Sequence, residues 1–147
     1  MFTDHLTQYI HLHPWLVAAT AAVALLAVLI EIRARGESFA SVSPQQAVQL
    51  MNRGALTIDL RPADQFAAGH VSGARRMDGE QILRGAELLK KYKQKPIIVY
   101  CNSGSLAASA VRQLRGQGFA QATNLRGGIS AWRSEQLPLE KGAGSNA

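Results

Sequence analysis

At 147 residues, 47% hydrophobic and 18% charged, the chain has room for one ordinary domain and an appendage. Its single cysteine, Cys101, excludes an intrachain disulfide and fits a reducing compartment. The formal net charge of +6 favours anionic partners, but the basic residues are spread, with one cluster at Lys90, Lys91, Lys93 and Lys95 and no nucleic-acid-binding motif, so nucleic acid is not expected as a partner.

The appendage is N-terminal. From Trp15 to Ile30 the residues WLVAATAAVALLAVLI carry no charge and nothing more polar than Thr20. With Pro14 and Ile32 the run approaches the roughly 20 residues that cross a bilayer core, so 14–32 reads as a transmembrane helix, with Tyr9 and Trp15 as interfacial anchors. A cleaved signal peptide is the rival, but residues 1–13 hold no Lys or Arg where such a peptide needs a positive segment. All 16 Lys and Arg residues lie from Arg33 onward, against eight Asp and Glu in the same stretch. The positive-inside rule therefore puts 1–13 outside and the C-terminal domain in the cytoplasm, at the inner membrane, drawn to anionic lipid.

Residues 33–42 read as a linker. Ser43 and Pro44 make an N-cap and first helical position, and Ala47, Val48, Leu50 and Met51 give a short amphipathic helix ending near Gly54. A strand is expected at Ala55–Leu60, a helical turn at Asp64–Ala68 and a small strand from His70 to Met77. Asp78 caps a predicted helix from Gly79 to Lys91 that buries Ile82, Leu83, Ala86, Leu88 and Leu89. Then follow a strand at Ile97–Tyr100, a helix at Ala107–Arg115, a strand at Ala122–Leu125, a Gly127–Gly128 turn and a helix at Ile129–Glu135 bearing Trp132. Strands alternating with helices predict an α/β domain over 43–139 with a mainly parallel sheet, and 140–147 read as a disordered tail.

The chemistry centres on IIVYCNSGSLAASAV, Ile97 to Val111. An apolar strand stops at Cys101, and a short polar loop with Gly104 leads into a helix. Loop N–H groups and the free N–H groups of the first helical turn make a concave anion site, whose dipoles would also stabilise a thiolate. A cysteine beside an apolar strand is often just a small core residue. Its place at the carboxyl end of a parallel strand favours a nucleophile instead.

These segments resemble a known family. IDLRPADQFAAGHVSGARRM (Ile58 to Met77) looks like the Asp-x-Arg strand end and Gly-His-Val-x-Gly-Ala segment of the rhodanese domain. VYCNSGSLAASAVRQL (Val99 to Leu114) is similar to its active-site strand, Cys-x-x-Gly loop and following helix, and NLRGGISAW with Pro138 to its Leu-x-Gly-Gly turn and tryptophan helix. The resemblance implies a rhodanese-like three-layer α/β fold and a sulfurtransferase. Cys101 would take sulfane sulfur from thiosulfate or a persulfide, Asn102, Ser103, Gly104, Ser105 and Leu106 would cradle it, and cyanide or a thiol would accept it. No cofactor and no metal site is implied.

Two positions depart from the family pattern. Leu106 and Ala107 stand where many members carry Arg and Ser or Thr, leaving the loop without a cation for a doubly charged donor. The related cysteine phosphatases and arsenate reductases need Cys-x5-Arg, and that position is Ala107, which argues against phosphatase chemistry. Asp59 and Arg61 read as a structural pair supporting the loop, His70 as a structural histidine, and Arg126 as a solvated arginine within reach of the pocket rim. Two other readings stay open: a rhodanese-like module that binds and regulates a membrane protein without turnover, and a periplasmic or secreted rhodanese released by cleavage after about Arg35.

Overall fold

Strands form at Leu56–Asp59, Ile97–Tyr100 and Ala122–Leu125, and their alternating buried side chains build two cores. The structure, a computed structural model, describes residues 14–142, with side chains throughout except those of 33–39. The expected outer tail 1–13 and residues 143–147 of the expected disordered tail lie outside the described residues. The chain divides at Phe39 and Ala40 into two compact units.

The first unit is helix α1 (Pro14–Phe39). Its Pro14–Ile32 stretch, 19 residues of mean hydropathy 2.4 with none of it buried, is long and apolar enough to cross a membrane. At 1.5 Å per residue it spans about 28 Å, close to the hydrocarbon thickness. Thr20 satisfies its hydroxyl within the helix, donating to the carbonyls of Leu16 and Val17, each at 3.0 Å.

The second unit is a parallel sheet between two helical layers. Its strands are β1 (Ser41–Val42), β2 (Leu56–Asp59), β4 (Arg75–Arg76), β5 (Ile97–Tyr100) and β6 (Ala122–Leu125), arranged β1-β6-β5-β2-β4 with every pair parallel. Two-residue strands β3 (His70–Val71) and β7 (Leu139–Glu140) pair antiparallel as a separate ribbon. In β5 the two-residue period sends Ile97 and Val99 to one face and Ile98 and Tyr100 to the other. On the first face they pack with Leu56, Ile58, Ile82, Val111 and Leu114; on the second with Phe66, Val71, Leu125, Ile129 and Trp132.

Helix α2 (Pro44–Asn52) starts at a capping box: Gln46 N–H donates to Ser43 Oγ at 3.3 Å and Ser43 N–H to Gln46 Oε1 at 2.9 Å. Helix α3 (Ala63–Ala68) contributes Phe66 to the second face. Helix α6 (Ser105–Gly116) covers the first face with Ala107, Ala110, Val111 and Leu114, and α7 (Gly128–Ser134) returns to the second with Ile129 and Trp132.

The structure corrects four local expectations. The stretch 33–42 is not irregular: α1 runs to Phe39, and Ser41–Val42 form an edge strand, with Asn124 N–H donating to Ala40 O at 2.6 Å, Arg126 N–H to Val42 O at 2.9 Å and Val42 packed on the second face. His70–Met77 is two short strands split by a turn with Gly73 at φ +70°. Gly79–Lys91 is broken into α4 (Gly79–Leu83), α5 (Gly85–Leu88) and a 3-10 turn at Lys90–Tyr92. Gly85 sits at the break, where an added Cβ would meet Leu114 Cδ2 at 2.8 Å, so the chain is pressed onto α6 and turns away. Only Ile82 and Leu89 of the predicted apolar face are then buried, with Leu83 63% and Leu88 42% exposed. Finally, Glu140 belongs to β7 rather than to a disordered tail.

Candidate active site

In the sheet β2 lies beside β5, and their carboxyl ends send the chain in opposite directions: Leu60, Arg61 and Pro62 lead to α3 on one face, and Cys101 leads through its loop to α6 on the other. Such a divergence opens a crevice at the strand ends. A cavity of about 240 Å³ occupies it, lined by Leu60, Arg61, Pro62, Cys101, Asn102, Ser103, Ser105 and Leu106.

Cys101 is buried at 3% exposure, and its Sγ accepts the Gly104 N–H at 3.1 Å. Gly104 takes φ +105° as the residue before α6, a conformation that brings its N–H back over the sulfur and that other residues rarely adopt. The first intrahelical bond of this turn runs from Ala108 N–H to Gly104 O at 3.0 Å, so the N–H groups of Ser105, Leu106 and Ala107 are free of the α-helical ladder.

Helix α7 holds the outer side of the loop. Ile129 N–H donates to Cys101 O at 2.9 Å, and Asn102 O accepts Ser130 N–H at 3.3 Å and Ser130 Oγ–H at 3.0 Å. The loop carbonyls are thereby engaged away from the sulfur. Gly128 makes this approach possible: it has φ +57°, and a Cβ there would lie 2.3 Å from Cys101 O and 2.6 Å from Asn102 O. On the opposite side Asn102 Nδ2 donates to Gln65 Oε1 of α3 at 3.0 Å.

Beneath the cavity, Asp59 and Arg61 form a buried ion pair, 0% and 3% exposed. Arg61 Nε lies 3.0 and 3.1 Å from the two Asp59 oxygens, an Arg61 terminal nitrogen donates to Oδ2 at 2.6 Å and to Gly69 O at 2.8 Å, and Arg61 N–H donates to Oδ1 at 2.8 Å. Burial works against the guanidinium charge, but the Asp59 hydrogen bonds and charge outweigh it and raise the Arg61 pKa. Tyr100, on the same face, is pushed well above the usual phenol range, first by burial and then by the Asp59 carboxylate; its hydroxyl accepts Val71 N–H at 3.1 Å.

The structure thus brings Cys101, Asn102, Ser103, Ser105, Leu106 and Arg61 to one cavity and sets Gly104 directly behind the sulfur. Asp59 is wholly buried and reaches the cavity only through Arg61. Arg126 is exposed, outside the cavity lining, and its main chain is tied to β1. His70 stacks on Phe66 with ring centroids 3.8 Å apart, and its Nδ1–H donates to Phe66 O at 2.9 Å, away from the cavity. Ala107 is fully buried in α6. Leu60, Pro62 and Gln65 are site residues that the sequence does not single out. The rule that ligands sit at strand carboxyl ends points to Leu60 and Pro62, whereas Gln65 carries no sequence signal.

Residues 43–135 match the rhodanese-like domain family. The chain is 38% identical over 110 residues to the thiosulfate sulfurtransferase GlpE of Ectopseudomonas mendocina (strain ymp), covering 73% of this chain and 95% of the relative. It is 30% identical over 141 residues to YibN of Escherichia coli (strain K12), a likeness covering 95% of this chain and 99% of that protein. The crystal structure of Alr3790 from Anabaena sp. superposes with a TM-score of 0.59 at 26% identity, covering 68% of this chain and 81% of the other. With Cys101 at the carboxyl end of β5 and its loop clasped between α3 and α7, the chain belongs to the rhodanese-like domain family.

Proposed function

We propose that this protein is a membrane-anchored sulfurtransferase that carries sulfane sulfur on Cys101. The observation that carries the reading is the Cys101 sulfur, at the wall of a cavity and accepting the Gly104 N–H at 3.1 Å. The Cys101 thiolate attacks the outer sulfur of thiosulfate or a persulfide, a new S–S bond forms, and the donor leaves with the old S–S electron pair. The terminal sulfur of the Cys101 persulfide is negative, and the N–H groups from Asn102 to Leu106 stabilise it. A thiol or cyanide then takes the sulfur and regenerates the thiolate. No second cysteine exists to resolve the persulfide within the chain, so the acceptor is external.

The relatives named thiosulfate sulfurtransferase support this chemistry, and α1 with the basic residues after it supports anchoring with the catalytic unit in the cytoplasm. The test is intact mass of the full chain after thiosulfate and, separately, a low-molecular-weight persulfide, with Cys101→Ser in parallel, followed by cyanide and a thiocyanate assay. A gain of one sulfur on the parent, discharged by cyanide and absent from the variant, is expected. A chain unmodified by both donors overturns the catalytic reading and leaves a rhodanese-like module that binds a membrane protein.

A further inference from the structure

A second cavity, also of about 240 Å³, adjoins the first. The two share Leu60 and Leu106, so the wall between them is apolar. Beyond that wall the second cavity is lined by Ile82 of α4 and by Ser109, Ala110 and Gln113 of α6, with no charged side chain in its lining. Leu106 is 67% exposed, although it sits on the first turn of α6 beside the proposed nucleophile. An exposed leucine at the junction of two cavities offers apolar contact to an alkyl group placed there. Among the described residues, the only guanidinium lining the Cys101 cavity, Arg61, is already neutralised by Asp59, so the cavity offers a doubly charged donor little compensation for lost hydration.

Resting on the sulfurtransferase reading, we infer that the groove formed by Leu60, Ile82, Leu106 and Ala110 is the subsite for the carrier of the sulfur, and that the carrier is an apolar, uncharged thiol rather than sulfite or a charged thiol. In the reaction the Cys101 thiolate attacks the outer sulfur of the carrier persulfide R–S–SH. The Cys101–S bond to that sulfur forms, the bond to the carrier's own sulfur breaks, and its electron pair leaves as R–S⁻. The proton passes from the transferred sulfur to the departing R–S⁻, which leaves as R–SH; the terminal sulfur of the Cys101 persulfide is left negative, and no oxidant or reductant is consumed. The leaving sulfur departs on the side opposite Cys101, and its alkyl group R lies in the groove against Leu60 and Leu106. The reverse step places an apolar acceptor thiol in the same groove.

The experiment follows single-turnover persulfidation of Cys101 in the full chain by intact mass. The donors are methyl, ethyl, propyl and butyl persulfides released in situ, glutathione persulfide and thiosulfate, with Gln113→Glu alongside the parent. Gln113 is exposed on α6, so the substitution charges the groove wall without entering the core. Burial of each methylene is expected to raise the rate constant up to about fourfold until the groove is filled. Gln113→Glu should flatten that series and lower the butyl-to-methyl ratio by about tenfold. Persulfidation without chain-length dependence, or a dependence unaltered in Gln113→Glu as partition into detergent would give, overturns the groove and leaves the sulfurtransferase standing. Absence of sulfur gain from every donor overturns both.

Discussion

Gly128 connects the loop's shape to the sulfur's environment. The carbonyls of Cys101 and Asn102 are taken by α7, and that contact exists only because position 128 has no side chain and can hold φ +57°. Gly128→Ala is therefore expected to destabilise the domain by more than about 2 kcal/mol in urea unfolding, the sum of a positive-φ penalty and a main-chain clash, and to slow Cys101 persulfidation. Gly54 isolates the first of these terms, since it has φ +84° with nothing within 4 Å of an added Cβ. Gly54→Ala should cost only about 1–2 kcal/mol and leave persulfidation intact. Equal costs at the two positions would remove the steric argument. Asp59 poses a different question at the same scale. Removing it in Asp59→Ala strands a buried guanidinium and is expected to cost about 3–5 kcal/mol. Replacing both partners by Asp59→Leu with Arg61→Met should cost clearly less, as a structural pair requires; an equal or greater cost, read by the same unfolding curves, would give Arg61 a role beyond the pair.

Among the elements, the β3–β7 ribbon is held by the least conspicuous contacts. Glu140 of β7 accepts from the Ser72 hydroxyl, accepts the Gly73 N–H at 3.2 Å, and lies 3.9 Å from His70 Nε2. These donors, the Ser72 hydroxyl first, lower the Glu140 pKa from its ordinary value. A carboxylate depressed in the folded state contributes stability that is fully present above its unfolded value, about 4.3, and is lost as pH falls through the folded one. The acid limb of a thermal-stability profile between about pH 5 and 3 should accordingly be shallower in Glu140→Gln than in the parent; superimposable limbs would show that the clasp carries no linkage. This ribbon also marks where the sequence stops being legible. The strand at Ile97–Tyr100 is readable because it is an apolar run buried throughout, and those at Leu56–Asp59 and Ala122–Leu125 because apolar residues such as Leu56, Ile58, Ala122 and Leu125 are buried in them. Pairs of two residues such as Ser41–Val42 or Leu139–Glu140 have no periodicity and are defined by partners distant in the chain. The break at Gly85 is set by the approach of Leu114 and Gln117, which no local pattern announces. At the site, Cys101 and Gly104 stand out from their place between strand and helix, while Gln65 and the role of Gly128 appear only once α3 and α7 are packed against the loop.

For the whole molecule, the decisive charges are those flanking α1. The 13 residues before the apolar stretch contain no Lys or Arg, and Arg33 and Arg35 follow it directly, with Arg53 next. Orientation is set by basic residues within roughly 15–20 positions of a span, and acidic ones contribute little, so Glu31 and Glu37 do not cancel the bias. The rhodanese-like unit is then expected on the cytoplasmic side, where thiols stay reduced and a lone cysteine is not lost to disulfide formation. The check is a tag fused after Ala147, probed with protease in vesicles of opposite sidedness after carbonate-washed membranes have been shown to retain the intact chain. Digestion only in inside-out vesicles is the expected result. Arg33→Glu with Arg35→Glu leaves a single basic residue near the span, so a mixed population with the tag digested on both sides should appear. Release of the parent by carbonate, or a parent chain shortened to begin after about Arg35, would replace the anchor with a cleaved leader and move the sulfur chemistry outside the cytoplasm.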